Sequence, residues 1–196
     1  MSTEPTEPTG PTGTDLRRPA VVLAIALPVL LALVVAGLAL YARSGGFTAD
    51  PPAPETGPLA VAPVDAPAAG SAACASLLAA LPTDLPGDPA LTARPIAEPA
   101  QPGAKAWAAS PRPVVLRCGL PRPQELTPTS TLTEVNGVSW LTITDGTPEP
   151  TLVTYVAVDR EVYVALTTPT QIGSGPVQTV SDTIGATLQQ REVQVR

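Results

Sequence analysis

Histidine is missing from all 196 residues. That absence removes the commonest general base and the commonest metal ligand together, so His-based triads and His-containing zinc sites are excluded. Aromatic residues are nearly as scarce, at two Trp, three Tyr and one Phe. Trp107 and Trp140 read as core fillers rather than sugar-stacking platforms, because so few rings are there to fill a core. Charged residues make up only 14% of the chain and the net charge is −6, which argues against nucleic acid as a partner. No glycine-rich phosphate loop, dinucleotide fingerprint or G-x-S-x-G serine setting occurs, so no cofactor and no small-molecule substrate is implied. The acids Asp145 and Glu149, and Asp159 and Glu161, fall in expected turns, where solvated carboxylates are ordinary. Enzyme chemistry therefore lacks support, an envelope hydrolase being the alternative within that class.

Proline is abundant instead, at 26 residues, crowded into the N-terminal tail and the stretch from 51 to 128. A long apolar run is present too. Val21 to Leu40 is twenty residues without a charge, enough at about 1.5 Å per residue to span a hydrocarbon core of roughly 30 Å. Arg17 and Arg18 precede it and Arg43 follows, which places the N-terminus in the cytoplasm and the C-terminal part outside it. The run is longer than the apolar core of a cleaved signal peptide, and no cysteine follows it directly as a lipoprotein would need. An uncleaved single-span anchor over 19–42, in the plasma membrane, is the expectation.

Residues 1–18 form the expected cytoplasmic tail, with the degenerate triplet TEP-TEP-TGP-TGT from Thr3 to Thr14 too polar and Pro-rich to fold. A plain solvated tail is the reading, with threonines that serve as kinase substrates as the sharper alternative. Residues 43–70 are rich in Pro, Ala and Gly without periodicity, the composition of a disordered, semi-extended spacer. A folded extracytoplasmic domain is then expected over 71–192.

Ser71 to Pro82 reads as a short helix with a serine N-cap, Leu77, Leu78 and Leu81 on one side and a proline stop. Residues 83–110 show little periodicity and read as an irregular connection. Strands follow at Pro113–Cys118, Leu132–Val135, Val138–Thr144, Thr151–Val158 and Glu161–Thr168. Asn136-Gly137 marks a tight hairpin and Asp159-Arg160 a second, less distinctive one. Val177, Val180, Ile184 and Leu188 trace an amphipathic helix over about 175–190. The order predicts an α+β domain, with a mostly antiparallel sheet of about five strands packed by an N-terminal and a C-terminal helix.

The stretch PRPVVLRCGLPRP, residues 111–123, concentrates what chemistry there is. Strand alternation puts Cys118 on the side of Val114 and Leu116, facing inward, with Arg117 on the other side. Cys74 is the only other cysteine, and both fall on the exported side, so one structural disulfide is expected rather than a redox pair or metal site. Prolines at both ends suggest an edge strand or one with abrupt ends. Arg94, Lys105, Arg112, Arg117 and Arg122 face only Glu98 over that range. They are either an anion-binding or partner surface or an ordinary solvated face.

Several of these motifs, Ala106-Trp107, Pro113-Val-Val-Leu-Arg-Cys-Gly119, Val135-Asn-Gly-Val-Ser-Trp140, Asp159-Arg-Glu-Val-Tyr-Val164 and the helix Cys74–Pro82, resemble an actinobacterial family of exported, single-span proteins of unknown function. The resemblance covers about 72–190 and departs from the family pattern at Ala108, where a glycine follows the first Trp. It implies the domain limits and the cysteine pairing, and no activity. The reading is a membrane-anchored, non-enzymatic interaction or accessory protein of the cell envelope with an envelope protein as partner. The alternative is a module that binds an anionic envelope component through the basic stretch.

Overall fold

The structure is a computed structural model that describes residues 17–44 and 52–195. It divides into two compact units, Met1–Asp50 and Pro51–Arg196. The triplet repeat and residues 45–51 lie outside the described residues.

In the first unit the apolar run forms helix α1, Arg17–Arg43, with Pro28 inside it and Arg43 in its last turn. Ala24–Arg43 has a mean hydropathy of 2.5 and none of it is buried, and Leu27, Leu30 and Leu33 are all more than 60% exposed. An α-helix satisfies its own backbone groups, so such a segment can cross a bilayer without further partners.

In the second unit, helix α2 spans Ala72–Ala80. Strands follow at β1 Asp84–Leu85, β2 Leu91–Arg94, β3 Ala104–Trp107, β4 Val114–Leu120, β5 Leu132–Val135, β6 Val138–Ile143, β7 Leu152–Ala157 and β8 Tyr163–Pro169, and helix α3 is Gly175–Thr187. The sheet has eight strands in the order β1-β2-β3-β4-β8-β7-β6-β5. Every neighbouring pair is antiparallel, so two four-stranded meanders meet at β4 and β8.

The α+β class and antiparallel sheet are as expected, but the strand count is eight rather than five. The extra strands fill the stretch read as irregular. β1 to β3 are two to four residues long, and Arg94 and Lys105 occupy strand positions, so alternation could not show in the sequence. The edge-strand reading of PRPVVLRCGLPRP is also corrected. β4 lies between β3 and β8, deep in the sheet, and Pro113 and Pro121 bracket the strand without entering its ladder.

One face of the sheet carries the main core. Cys74 and Leu77 of α2 meet Val114, Leu116 and Cys118 of β4 and Val164 and Leu166 of β8, with Val177, Val180 and Ile184 of α3 alongside. Both tryptophans are fully buried there. Trp107 Nε1 donates to Pro82 O and Trp140 Nε1 to Ser181 Oγ, so each ring brings its polar atom to a partner. The Asn136-Gly137 turn has positive φ at both residues, as a tight right-twisting hairpin requires. Asn136 Nδ2 also donates to Asp182 Oδ1 at 2.7 Å, tying the hairpin to α3.

The other face is covered by chain rather than by helix. Residues 52–70, read from composition as a free spacer, are a docked strap: Leu59 bridges Ile96, and Ala68 N donates to Gly119 O. Gly119 sits at a bulge in β4 with φ +85°, and a Cβ there would stand 2.6 Å from Ala69 Cα. Gly103, with φ +74°, would place a Cβ 2.9 Å from the Ala69 Cβ. Two glycines thus clear the path by which the strap runs into α2, whose N-cap Ser71 accepts from Cys74 N at 3.2 Å. Cys74 and Cys118 are disulfide-bonded with their Cα atoms 5.6 Å apart, one residue from Gly119.

Gly119→Ala is expected to lower stability by about 2–4 kcal/mol, combining a left-handed backbone with a collision against the Ala68–Ala69 peptide. Urea unfolding followed by fluorescence of the two buried tryptophans measures it, and a loss within error of zero would contradict the clamp. Replacing both cysteines by serine should cost about 4 kcal/mol in the same assay, on the chain-entropy estimate for a loop of this length.

Candidate functional site

The structure does not gather the five basic residues into one patch. Residues opposite each other in antiparallel pairs share a face. Lys105 pairs with Leu116 on the helix side, whereas Arg94 pairs with Ala106, and Ala106 with Val115, on the strap side with Arg117.

Four of the five are engaged with the chain itself. Lys105 Nζ donates to Leu81 O at 2.8 Å and Leu78 O at 3.3 Å, the last carbonyls of α2, and lies 5.8 Å from the Trp107 ring centre. A cation there complements the helix C-terminus. Burial pushes its pKa down from the ordinary lysine value. Arg94 is 8% exposed, donates from Nε to Gly57 O and pairs with Glu55 at 3.0 Å. Arg117 donates to Ala62 O at 2.9 Å, and partial burial lowers its pKa. Arg122 donates to Gln194 O at 2.8 Å and to Leu126 O, joining the chain after β4 to the C-terminal tail. Arg94 and Arg117 therefore hold the strap and Arg122 the tail. Of the five, Arg112 is the one that is exposed and has no hydrogen bond or ion pair among the described residues. It borders a cleft of about 210 Å³ with Leu59, Ala62 and Pro113.

A charged pair that sequence reasoning took for a solvated turn is buried. Arg160 Nη1 lies 2.8 Å from Asp159 Oδ2, with both side chains 5% exposed or less. Arg160 Nη2 donates to Gly137 O at 2.8 Å, and Arg191 N donates to Asp159 O at 2.9 Å. The pair thus joins the β7–β8 connection to the β5–β6 turn and to the tail. Asp159 Oδ1 and Arg160 Nε have no partner. The β7–β8 connection runs over Val158–Val162, longer than the two-residue turn expected, which lets both side chains reach inward. An adjacent Asp-Arg before an apolar strand carries no signal that would separate this from a surface turn.

Asp145, in contrast, is fully exposed and accepts from Thr147 Oγ1 at 2.7 Å and Thr147 N at 3.2 Å. The Thr147 hydroxyl holds its carboxyl below the ordinary aspartate range, followed by the Thr147 N–H. A depressed carboxylate pKa favours the folded turn above the ordinary value, and the benefit is lost as pH falls through the folded one.

The second unit also contains a cleft of about 460 Å³ between the start of the strap, the β1–β2 connection and the chain after β3. Pro52, Pro54, Pro89, Leu91, Ala108 and Ile172 are among its apolar lining, and Asp88, Ser110 and Gln171 are its polar side chains. Ser110 Oγ is buried without a partner, while Gln171 Nε2 donates to Ser110 O at 3.4 Å. Ala108, at the family pattern's glycine position, is 3% exposed and donates its N–H to Thr92 O, so it prolongs the β2–β3 pairing into the cleft wall. Nothing in the sequence marks this cleft, because segments far apart in the chain build it. Among the described residues no group of three Cys, Asp or Glu converges as a metal site.

Together these features define a disulfide-stapled α+β domain whose basic side chains mostly brace its own chain and whose concave surface includes an apolar cleft. The chain belongs to DUF3515, a family of proteins of unknown function, whose family model matches residues 24–193. That match takes in α1 from Ala24 onward and the strap as well as the stretch from 72 to 190. No curated protein and no solved structure matches the chain.

Asp159→Ala should destabilise the domain by about 3–5 kcal/mol, since it leaves a buried guanidinium uncompensated. The double change to Asp159→Leu with Arg160→Met should recover part of that loss. Denaturation midpoints of the two variants, read by tryptophan fluorescence, decide it; equal losses would deny the coupling.

Proposed function

We propose that this chain is a single-span membrane protein whose C-terminal domain lies outside the cytoplasm and acts by binding rather than by catalysis. The observation that carries the anchor is Ala24–Arg43, a 20-residue stretch of α1 with no buried face and mean hydropathy 2.5, for which a bilayer supplies the missing apolar surroundings. Two arginines before the run and one after it favour a cytoplasmic N-terminus. The disulfide supports the same orientation, because such bonds persist in oxidising compartments. The reading of an interaction or accessory protein of the cell envelope is supported by how the charged groups are used. Arg94, Arg117, Arg122 and Arg160 bind carbonyls or carboxylates of this chain, which makes a rigid surface rather than a reactive centre.

A second reading has one specific observation behind it. Arg112 is exposed and unpartnered beside a small cleft, so it is the residue of the basic stretch free to meet an anionic envelope component. Arg117 and Arg122 would have to give up hydrogen bonds to join it.

Two measurements separate these readings. A reporter fused after Arg196 should be active only outside the cytoplasm; cytoplasmic activity overturns the orientation. In-cell crosslinking should trap a specific protein partner whose yield is unchanged by Arg112→Glu. Salt-sensitive binding of anionic glycan to the full chain, lost in Arg112→Glu, would favour the second reading instead.

A further inference from the structure

We propose that the outer edge of β5 receives an extended segment of a partner protein, which places a lysine or arginine against Glu134. The inference deepens the reading above of a domain that binds a protein partner, and rests on it.

β5 is the last strand of the sheet and pairs with β6 alone. The register shows which of its backbone groups are spent. Val135 and Val138 flank the two-residue Asn136-Gly137 turn, and such a flanking pair exchanges both hydrogen bonds. Alternation then turns the N–H and C=O of Glu134 and Leu132 away from β6. Ser139, opposite Glu134, has the matching phase: its carbonyl faces away from β5 and accepts from Val158 N at 3.0 Å. Outside the β5–β6 ladder, no backbone group of Leu132 or Glu134 is hydrogen-bonded among the described residues.

Thr133 and Glu134 are exposed, and β5 has no proline, lysine or bulge, the common devices that keep an edge from pairing. Its guards are its short length and the Glu134 charge. The opposite edge differs, since β1 has two residues and α3 starts against Pro86 just beyond it.

Charge decides the occupant. From Pro123 to Val158 the chain has Glu125, Glu134, Asp145 and Glu149 and no lysine or arginine, and α3 has Asp182 alone. All five acids are exposed. Arg191, which shares a cleft with Ser139, gives its Nη2 to Gln189 Oε1, and Glu134 has no ion pair among the described residues. A second copy therefore fits poorly. Antiparallel self-pairing centred on Glu134 sets two carboxylates directly opposite, and centring on Thr133 leaves them on one diagonal, about 7–8 Å apart. A segment of another protein can instead present a cation opposite Glu134 and an apolar residue opposite Leu132. A β-branched residue between them would face Thr133, on the side where Val135 joins the main core.

The test is in-cell photocrosslinking of the full chain with benzoylphenylalanine in place of Thr133, and separately in place of Thr92, exposed on β2 in the other half of the sheet. Mass spectrometry should map the Thr133 crosslink to a partner segment carrying lysine or arginine. Glu134→Lys should cut its yield about tenfold, and reversing the mapped cation to glutamate should restore it. Glu134→Pro removes an N–H that β6 does not use, so the domain should fold while yield again falls about tenfold. Tryptophan fluorescence checks folding, and if the proline variant unfolds, the charge reversal and its rescue decide alone. A partner captured from Thr92 or by general crosslinking, but not from Thr133, overturns this inference and leaves the binding reading standing. Capture by no route overturns both. A Thr133 crosslink to another copy of this chain, or one whose yield survives Glu134→Lys, also overturns the inference.

Discussion

The crossing of the strap over Gly119 is the constraint on which the rest of the second unit depends. At that point the chain must pass from the strap face of the sheet to the helix face and start α2, within a few residues. The backbone of Ala68–Ala69 lies so close to β4 that position 119 tolerates no side chain. One residue earlier, Cys118 takes the disulfide from α2 and fixes the helix over the inward side of the same strand. A single dipeptide, Cys118-Gly119, therefore locks a helix on one face and a strap on the other.

From that lock the charged side chains acquire their roles. Arg94 and Arg117 point to the strap face and hold Glu55, Gly57 and Ala62; Lys105 points the other way and closes the end of α2. Arg122 and the Asp159–Arg160 pair act similarly at the far side, where they hold the C-terminal tail and the β5–β6 turn. Charges at such sites lose solvation on burial; the cations regain part of it from carbonyl or carboxylate oxygens of the same chain, and Asp159 regains part from Arg160, with Asp159 Oδ1 and Arg160 Nε left unpartnered. A domain so braced spends most of these charges on its own fold, and its apolar cleft opens on the surface beside them.

Much of the fold was legible in residues whose local physics is strong. Asn136-Gly137 admits few backbone conformations, the four-residue recurrence of Val180, Ile184 and Leu188 leaves a helix one buried face, and Ser71 before an Ala-Leu run is an N-cap. β1 to β3 were hidden because short strands with a cation in them show no alternation. The strap was hidden because its docking is set by two glycines more than thirty residues away, not by its own composition. The candidate cleft was illegible for the same reason: Pro52, Ser110 and Ile172 become neighbours only through the sheet.

The sequence by itself determined the apolar helix, the pairing of its two cysteines, the inward face of β4, the hairpin at Asn136 and the terminal helices. Each follows from local periodicity, from turn chemistry or from a count of two. Only the tertiary structure decided that β4 is central, that residues 52–70 belong to the domain, and where each arginine spends its charge. Those outcomes depend on which backbone carbonyls and glycines are brought close across long stretches of chain, and pairing at that range leaves no periodic trace in the residues that take part.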